Sequence, residues 1–398
     1  MTFRNPFKPG AGHTPPFLAG RSVEKAEFEK LLDQEEILDN FLLTGLRGVG
    51  KTVLSDELKP TAISKGWIVV GSEISETVSV SEENLAIRLL TDLSVITSAL
   101  VYSESKIPRM GITEKNDVLT YYYNFETLKY LFDSTPGLTS DKLKFVLEHI
   151  YSKLPAARKK IIFQYDEAQN LSDNADKNQY PLSLLLDVFQ SIQKKGVPFM
   201  LMLIGLPTLF PKLVEARTYA ERMFRVVFLQ RLSEQESKEA ISVPLNDADC
   251  PVKPTPDSIS LICKLAGGYP YFLQFIGREI YDVWVIDPQA FIPEEDISNK
   301  LDSDFFAGRW DRATDRQREL LCIVASLEDN PDEFSVQEIV EKSNTTLKPF
   351  SNSHVNQMLA ALISRGLIYK NRYGKYSFSV PLLDRFIRRQ PMFSDVFG

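Results

Sequence analysis

Five short apolar runs stand out in the first 230 residues, and each has the length and composition of a buried β-strand. Longer segments between the runs repeat their apolar residues every three or four positions, which predicts helices. Strands that alternate with helices form a parallel sheet covered on both faces, so the predicted fold class is α/β. The predicted strands are 41–44, 67–70, 161–165, 199–204 and 226–229.

A long excursion separates the second predicted strand from the third. Apolar and aromatic residues at helical spacing predict helices at about 121–131 and 142–154, with a loop around 108–111. The sequence therefore predicts a mostly helical insertion at about 101–158. Its role is not indicated by any motif within it.

The strand pattern stops after residue 232, and helical spacing replaces it. Ser233 is a candidate N-cap, and helices are predicted at about 257–266 and from Pro270 to about 284, interrupted by Gly267-Gly268. This pattern predicts a small helical lid followed by an acidic, loop-like linker at 285–304.

The last ninety or so residues predict three helices followed by two strands, an order typical of the winged helix-turn-helix. At the other end, prolines and glycines exclude a helix from the first residues and predict an extended arm. The predicted domains are an N-terminal arm at 1–16, a core at 17–232 with its insertion, a lid and linker at 233–300, and a winged-helix domain at 305–398.

Composition narrows the classes of function. The 398 residues suggest two or three domains, and a net charge of -7 means that any nucleic-acid site must be a local basic patch. Three scattered cysteines and three separate histidines offer no metal-binding spacing. Without an 18-residue apolar run or a signal pattern, we expect a cytoplasmic protein without a membrane segment.

The first strand leads into Gly-Leu-Arg-Gly-Val-Gly-Lys-Thr at 45–52, which matches the phosphate-binding pattern G-x-x-x-x-G-K-T. Glycines at 45, 48 and 50 allow a tight turn whose N–H groups point at phosphate oxygens. Lys51 is expected at the β- and γ-phosphates, and the Thr52 hydroxyl on Mg²⁺. The alternative is an ordinary glycine-rich turn, but a strand before the motif and a helix after it favour a nucleoside triphosphate.

An acidic pair, Asp166-Glu167, follows the third strand. Asp166 is a candidate Mg²⁺ ligand, and Glu167 is a candidate for orienting or deprotonating the attacking water. An acidic pair at a strand end is often only a helix cap. Its place downstream of the phosphate loop favours the catalytic interpretation.

Three arginines, at 217, 222 and 225, precede the fifth strand. They are candidates for an arginine finger that reaches the γ-phosphate of a neighbouring subunit, with Arg222 preferred and Arg225 second. The alternative is that they are solvated cations at a helix end, where the helix dipole favours them.

Taken together, these motifs resemble the AAA+ superfamily, and their order is similar to initiator-type (origin-recognition-like) and STAND or archaeal-ATPase-like proteins. The resemblance implies a P-loop (AAA+-like) parallel sheet, ATP/ADP and Mg²⁺ as cofactors, and ATPase activity. It implies that Ala19, Gly20 and Arg21 flank the adenine and that Tyr269 and Pro270 lie against the nucleotide. The implied phosphate-loop ligands are Gly45, Leu46, Arg47, Gly48, Val49, Gly50, Lys51, Thr52 and Val53.

Two positions depart from the AAA+ pattern. The fourth strand ends in Gly205-Leu206-Pro207-Thr208 rather than in the usual polar residue, for which Thr208 is a loose substitute. Initiator ATPases carry an arginine in the lid, whereas here Pro270 opens the lid helix and Arg278 lies two turns further along it. Both departures favour a slow switch that holds nucleotide over a fast ATPase.

In the winged-helix domain, residues 351–365 are the predicted recognition helix. Short polar side chains suit base edges, and a local excess of basic residues suits phosphates. Candidate DNA contacts are Ser353, His354, Asn356, Arg365, Arg372 and Lys375. Winged helices also serve as protein-binding modules or pack on their own ATPase core, so this alternative stays open.

The preferred hypothesis is an ATP-controlled switch that assembles and contacts DNA through its winged helix. Alternatives are a signal-transducing NTPase, or a defence or mobile-element adaptor, whose winged helix binds an effector protein instead. The guanine-specifying pattern N-K-x-D is absent after the fourth strand, which favours ATP over GTP.

Overall fold

A computed structural model describes residues 4–10, 12–108, 116–155, 159–247, 250–287, 292–327, 333–372 and 374–397, with only the backbone described at 104–108, 116–119 and 372. The chain forms two compact units. The sheet unit comprises Ser22–Thr44 and Leu54–Phe228, and the lid unit comprises Met1–Arg21, Gly45–Val53 and Leu229–Gly398.

Strands and helices alternate as the hydrophobic pattern predicts. The strands are β1 Asn40–Gly45, β2 Ile68–Val70, β3 Val101–Pro108, β4 Asn116–Tyr122, β5 Ile161–Tyr165, β6 Phe199–Gly205, β7 Phe224–Leu229, β8 Ile368–Arg372 and β9 Lys375–Phe378. The helices are α1 Ser22–Leu32, α2 Lys51–Ser64, α3 Glu82–Thr97, α4 Phe125–Ser134, α5 Thr139–Lys153, α6 Pro181–Gln193, α7 Leu209–Ala216, α8 Glu234–Leu245, α9 Pro256–Ala266, α10 Pro270–Ile286, α11 Glu294–Leu301, α12 Gly308–Trp310, α13 Asp315–Ala325, α14 Val336–Ser343, α15 Asn352–Ser364, α16 Leu383–Arg388 and α17 Pro391–Phe397.

The main sheet has the strand order β2-β5-β6-β1-β7 across the described residues. The pairs β2–β5, β5–β6 and β1–β6 are parallel. Every residue of β1, β5 and β6 is buried, as expected for apolar strands covered by helices on both faces. The predicted α/β fold class, a parallel sheet flanked by helices, is therefore confirmed.

The insertion between β2 and β5 is not wholly helical, so that expectation is corrected. Strands β3 and β4 pair antiparallel, with Val101 opposite Tyr122. Tyr121 and Tyr122, expected in a helix, end β4 instead, because aromatic residues also suit strands; both are exposed, whereas Tyr123, just after the strand, is buried. Helices α4 and α5 follow. Most of the predicted loop at 108–111 lies outside the described residues.

In the lid unit, three helices begin or end at residues predicted to start or stop them. Ser233 caps α8 in a reciprocal capping box with Glu236, Gly267 ends α9 at φ +59°, and Pro270 opens α10. The predicted linker at 285–304 is corrected, because residues 294–301 form α11. Acidic residues occupy the first turn of α11, where the helix dipole stabilises them.

The C-terminal region has the predicted order of three helices, α13 to α15, followed by the antiparallel hairpin β8–β9. Two short helices, α16 and α17, come after the hairpin and were not predicted. Phe386 on α16 packs against Trp310 and Phe306. Residues near the end of the chain therefore belong to the same hydrophobic core as the lid helices. No helix in the described part of the chain is long and apolar enough to span a membrane.

The predicted N-terminal arm lies along lid helix α10. The amide of Asn5 donates to the carbonyl of Arg278 at 3.0 Å, and the N–H of Lys8 donates to the side chain of Gln274 at 3.0 Å. Phe7, between them, is only 4% exposed and packs on Gly277, where a Cβ would lie 2.8 Å from its ring. The arm is thus part of the lid's hydrophobic core.

Candidate functional site

The phosphate loop joins β1 directly to α2. Gly48 and Gly50 have φ values of +76° and +91°, which other residues rarely adopt, and α2 begins at Lys51 with no acidic residue in its first turn. Gly45 is required for another reason, since a Cβ there would lie 2.7 Å from the carbonyl oxygen of Leu229. A left-handed turn that opens a helix presents N–H groups and a positive dipole end to an anion.

Lys51 points back at its own loop. Its Nζ donates to the carbonyl oxygens of Gly45 at 2.9 Å and Leu46 at 3.0 Å. Thr52, the second residue of α2, has an exposed side chain. The ammonium group, the helix start and the glycine turn together fit the phosphates of a nucleotide, which Lys51 and the loop N–H groups would bind. The remaining candidates of the loop, Arg47 and Val49, are exposed and buried respectively.

The lid helix α10 holds the phosphate loop. The N–H of Tyr271 donates to the carbonyl oxygen of Gly48 at 3.1 Å, and a Cβ at position 48 would lie 3.0 Å from Cβ of Tyr271. Sequence reasoning singled out Tyr269 and Pro270 and missed Tyr271. Pro270 is the first residue of α10, and the half-buried Tyr269 ring contacts the Phe272 ring edge-on at 6.2 Å.

Arg21 is buried and also contacts the loop. Its guanidinium donates to the carbonyl oxygens of Val49 at 3.0 Å and Gln230 at 2.9 Å, and its backbone has φ +72°. Gly20, at φ +66°, packs against the side chain of Glu236, and Ala19 is buried in the lid core. The three residues proposed to flank the adenine therefore connect the arm to the phosphate loop and to the lid.

In the sheet unit, Asp166 follows β5 and continues as an isolated bridge to Glu73. Its N–H donates to the carbonyl of Ser72 at 3.2 Å, and its own carbonyl accepts from Ile74 at 2.8 Å. One oxygen of its carboxylate accepts from the N–H of Glu167 at 2.7 Å. Both backbone bonds of Asp166 run to the segment 72–74, and the bond from Glu167 holds its carboxylate.

Glu167 has left-handed backbone angles, φ 50° and ψ 32°, and its carboxylate accepts a hydrogen bond from Nε2 of Gln169. The other end of the Gln169 amide accepts from the N–H of Leu206 at 3.0 Å. Gly205 leaves room for this contact, because a Cβ there would lie 2.6 Å from Oε1 of Gln169. Gln169 therefore supplies the polar group at the end of β6 that the sequence lacks, whereas the Thr208 side chain makes no capping bond.

The three candidate arginines differ in their contacts, and Arg225 lies within β7 rather than before it. Arg217 bonds both oxygens of Asp187, at 2.9 and 2.7 Å, and Arg225 pairs with Glu27. Burial alone would raise the pKa of Asp187, but the hydrogen bonds from Arg217 and Tyr219 lower it overall. Arg222 is exposed and forms no ion pair with any described residue.

Some of the proposed DNA-contacting residues are exposed, and others already bond to side chains of this chain. Ser353 and Asn356 are exposed on α15, and the His354 ring lies 5.3 Å from that of Phe350. Arg365 donates to the side chain of Gln317, and Lys375 pairs with Glu338 at 3.2 Å. The side chain of Arg372 lies outside the described residues.

Basic residues near the C-terminus also bond within the lid unit. Arg385 donates to the carbonyl of Lys264 at 2.9 Å, and Arg388 to that of Ala325 at 2.8 Å. Arg389 pairs with Asp302. Many of the basic side chains that suggested phosphate contacts therefore bond to groups within the C-terminal region or to the lid.

Comparison with known proteins supports the fold. Residues 303–387 match a family described as a domain of unknown function (DUF8462), and a search of curated proteins found no match. The chain is similar to the Walker-type ATPase PABY2304 of Pyrococcus abyssi, with 14% identity, a TM-score of 0.57, and 93% of this chain and 96% of that one covered. It is also similar to the ADP form of the ORC2 protein of Aeropyrum pernix, with 14% identity, a TM-score of 0.53 and 98% of both chains covered. At such low identity these likenesses show the fold alone, a parallel sheet flanked by helices.

Proposed function

We propose that this protein is an ATP-binding switch with slow ATPase activity, in which bound nucleotide sets the state of the C-terminal domain. The observation that carries the proposal is the placement of the phosphate loop. Residues 45–53 belong to the same compact unit as the lid and the C-terminal domain, and Tyr271 of the lid bonds Gly48 directly. A change at the loop on nucleotide binding would therefore reach the lid and the core behind it.

Each residue has a role in this proposal. Lys51 and the loop N–H groups bind the β- and γ-phosphates, while Thr52 and Asp166 hold Mg²⁺, which supplies electrostatic stabilisation of the phosphates. Glu167 orients or deprotonates the attacking water. The two solved structures to which the chain is similar are described as a Walker-type ATPase and as an ADP form, which supports adenine nucleotides as ligands.

Nucleotide binding by the full chain tests the proposal, with a fluorescent ATP analogue and ADP as probes. We expect Lys51→Ala to weaken binding at least about ten-fold, which is about 1.4 kcal/mol. The matched control is Lys59→Ala on the same helix, because Lys59 pairs with the exposed Asp56 beyond the phosphate loop. For Glu167→Gln we expect intact binding with hydrolysis lost. A wild-type protein without measurable affinity for either nucleotide would refute the proposal.

Self-assembly is a further part of the proposal, with Arg222 as a finger reaching another subunit. The unpaired side chain of Arg222 lies next to β7, an edge strand on which Val226 and Phe228 are each 37% exposed. Exposed apolar residues on a sheet edge favour an interface. Light scattering without nucleotide, with ADP and with an ATP analogue should show a higher mass only with the analogue, and Arg222→Ala should abolish that increase and hydrolysis.

DNA contact through a winged helix is a second candidate function, favoured by the exposed polar front of α15. Asn352 and Asn356 line an open groove of 680 Å³ together with Gln337 of α14 and Asn344, the residue that follows α14. Duplex DNA binding by the full chain should weaken steeply between about 50 and 200 mM salt. Ser353→Asp should weaken it, and Ser364→Asp, at the far end of α15, should not. No binding at low salt would favour the alternative, a module that binds a protein effector.

A further inference from the structure

Two arginines of the lid unit, Arg47 and Arg309, lack a carboxylate partner among the described residues. Arg47 lies in the phosphate loop and is exposed. Arg309, in α12, is half-buried, and its guanidinium lies 4.2 Å from the centre of the Phe305 ring and donates to the Phe305 carbonyl. Stacking on an aromatic face holds a guanidinium in place while leaving most of its N–H donors available.

A continuous run of contacts connects Arg309 to the phosphate loop. Tyr271 bonds the Gly48 carbonyl at 3.1 Å through its N–H, and its ring lies 5.3 Å from that of Phe305. Phe305 belongs to a π-helical turn, Asp302–Ala307, whose next residue, Phe306, stacks on Phe386 at 5.3 Å. Such turns often occur at functional sites, and this one directs successive aromatic residues to the lid and to the C-terminal core.

The charges around Arg309 favour an anion. Burial lowers the pKa of Arg309, and repulsion by Arg47 and then by Arg312 lowers it further. The nearby phenol of Tyr271 acts to raise the pKa of Arg309 instead. That phenol is neutral at pH 7, because burial raises its pKa above the ordinary value of about 10. Like charges in a partly desolvated place are unfavourable until an ion of opposite charge lies between them.

We propose that Arg47 and Arg309 together bind the terminal phosphate of a nucleoside triphosphate. This inference rests on the proposed function and adds a discrimination between triphosphate and diphosphate. Arg309 lies within residues 303–387, the region that matches a domain of unknown function. That domain therefore supplies a phosphate ligand, and its first helical turns respond to whether the γ-phosphate is present.

Binding of fluorescent ATPγS and fluorescent ADP to the full chain tests the inference. Arg309→Met keeps a long apolar side chain over Phe305 but removes the charge, so the packing is largely preserved. We expect ATPγS affinity to fall at least about ten-fold and ADP affinity to change less than about two-fold. Arg47→Met should give the same pattern. Arg312→Met is the matched control, because Arg312 is exposed three residues further on.

The outcomes separate this inference from the proposed function. If the wild-type protein binds both nucleotides and Arg309→Met leaves the ratio of the two affinities unchanged, the inference is wrong and the proposed function stands. An equal loss of both affinities likewise overturns the inference. If the wild-type protein binds neither nucleotide, the proposed function fails first. A selective loss of ATPγS in both arginine variants, absent in Arg312→Met, supports the inference.

Discussion

The amide of Gln169 is expected to position the carboxylate of Glu167, and Gln169→Leu tests this expectation. Oε1 of Gln169 accepts from the N–H of Leu206, so its NH₂ end faces Glu167 and donates to it. The two bonds fix the orientation of the amide, because reversing it would place an acceptor against the carboxylate. Leucine has a similar size and can form neither bond.

The expected magnitude follows from the kind of bond that is lost. A hydrogen bond to a charged group contributes about 1.5–3 kcal/mol, and because Glu167 is only half-buried the lower end applies. About 1.5 kcal/mol corresponds to roughly a ten-fold change in rate. We therefore expect kcat for ATP hydrolysis to fall about ten-fold while KM and ADP affinity stay unchanged, since Gln169 does not belong to the phosphate loop.

A second variant disturbs the same contact from the other side. A methyl group in Gly205→Ala would lie 2.6 Å from Oε1 of Gln169 and 2.8 Å from Cδ2 of Leu209, so the amide must move. We expect the same selective loss of kcat as in Gln169→Leu. Gly308→Ala is the matched control, because a Cβ there meets nothing within 4 Å.

Steady-state hydrolysis, ADP binding and thermal unfolding, measured on all variants, check this reasoning. Because Gln169→Leu and Gly205→Ala break one contact, the double variant should be no slower than the slower single variant. A normal kcat in folded Gln169→Leu protein would refute the positioning role. Additive losses in the double variant would show that Gly205→Ala acts elsewhere, through Leu209.

Three further predictions concern a buried ring, an ion pair and two buried thiols. Phe7→Ala should lower the melting temperature by several degrees and speed proteolysis within the arm, because it removes a buried ring; unchanged proteolysis would contradict this. Asp187 has a lowered pKa, so its pairing with Arg217 stabilises the fold above the unfolded pKa of about 3.9 and is lost as pH falls through the lower folded value. Urea midpoints of wild type and Asp187→Asn should thus differ at pH 7 and approach each other as the pH falls below about 3.9, and a constant difference would count against the pairing. Burial raises the pKa of Cys263 to about 11 and of Cys322 to about 12, so both should react with a thiol reagent at pH 8 only after unfolding, and rapid native labelling would disprove this.

Local patterns predicted the sheet well. Strand β5 has the predicted bounds, and β1, β6 and β7 differ from theirs by one or two residues, because a buried strand carries its own apolar signal. The phosphate loop could be placed for the same reason, since its glycines, lysine and threonine are neighbours in sequence. What these residues contact could not be predicted, because Tyr271 lies more than 200 positions away from Gly48.

Misses occurred where partners are distant in the chain. The role of Gln169 was not predicted from the sequence, because its partner Leu206 is 37 positions away. The excess of basic residues in the C-terminal region was interpreted as suiting phosphates, yet Arg389 bonds Asp302, 87 positions upstream. A pattern of charged residues gives the sign of each side chain's charge, but it does not show whether that side chain already has an ion-pair partner. The hairpin β3–β4 was missed because an aromatic run suits a strand as well as a helix.

The bonds of Arg385 and Arg389 have a consequence for how such chains recombine. The matched family begins at residue 303, but Arg385 bonds a lid carbonyl at Lys264 and Arg389 bonds Asp302. A gene fusion that joined residues 303–398 to another ATPase would leave both guanidinium groups without their acceptors. The lid and the C-terminal domain should therefore be exchanged together, with the arm and the phosphate loop that belong to the same unit, rather than be separated at the family boundary.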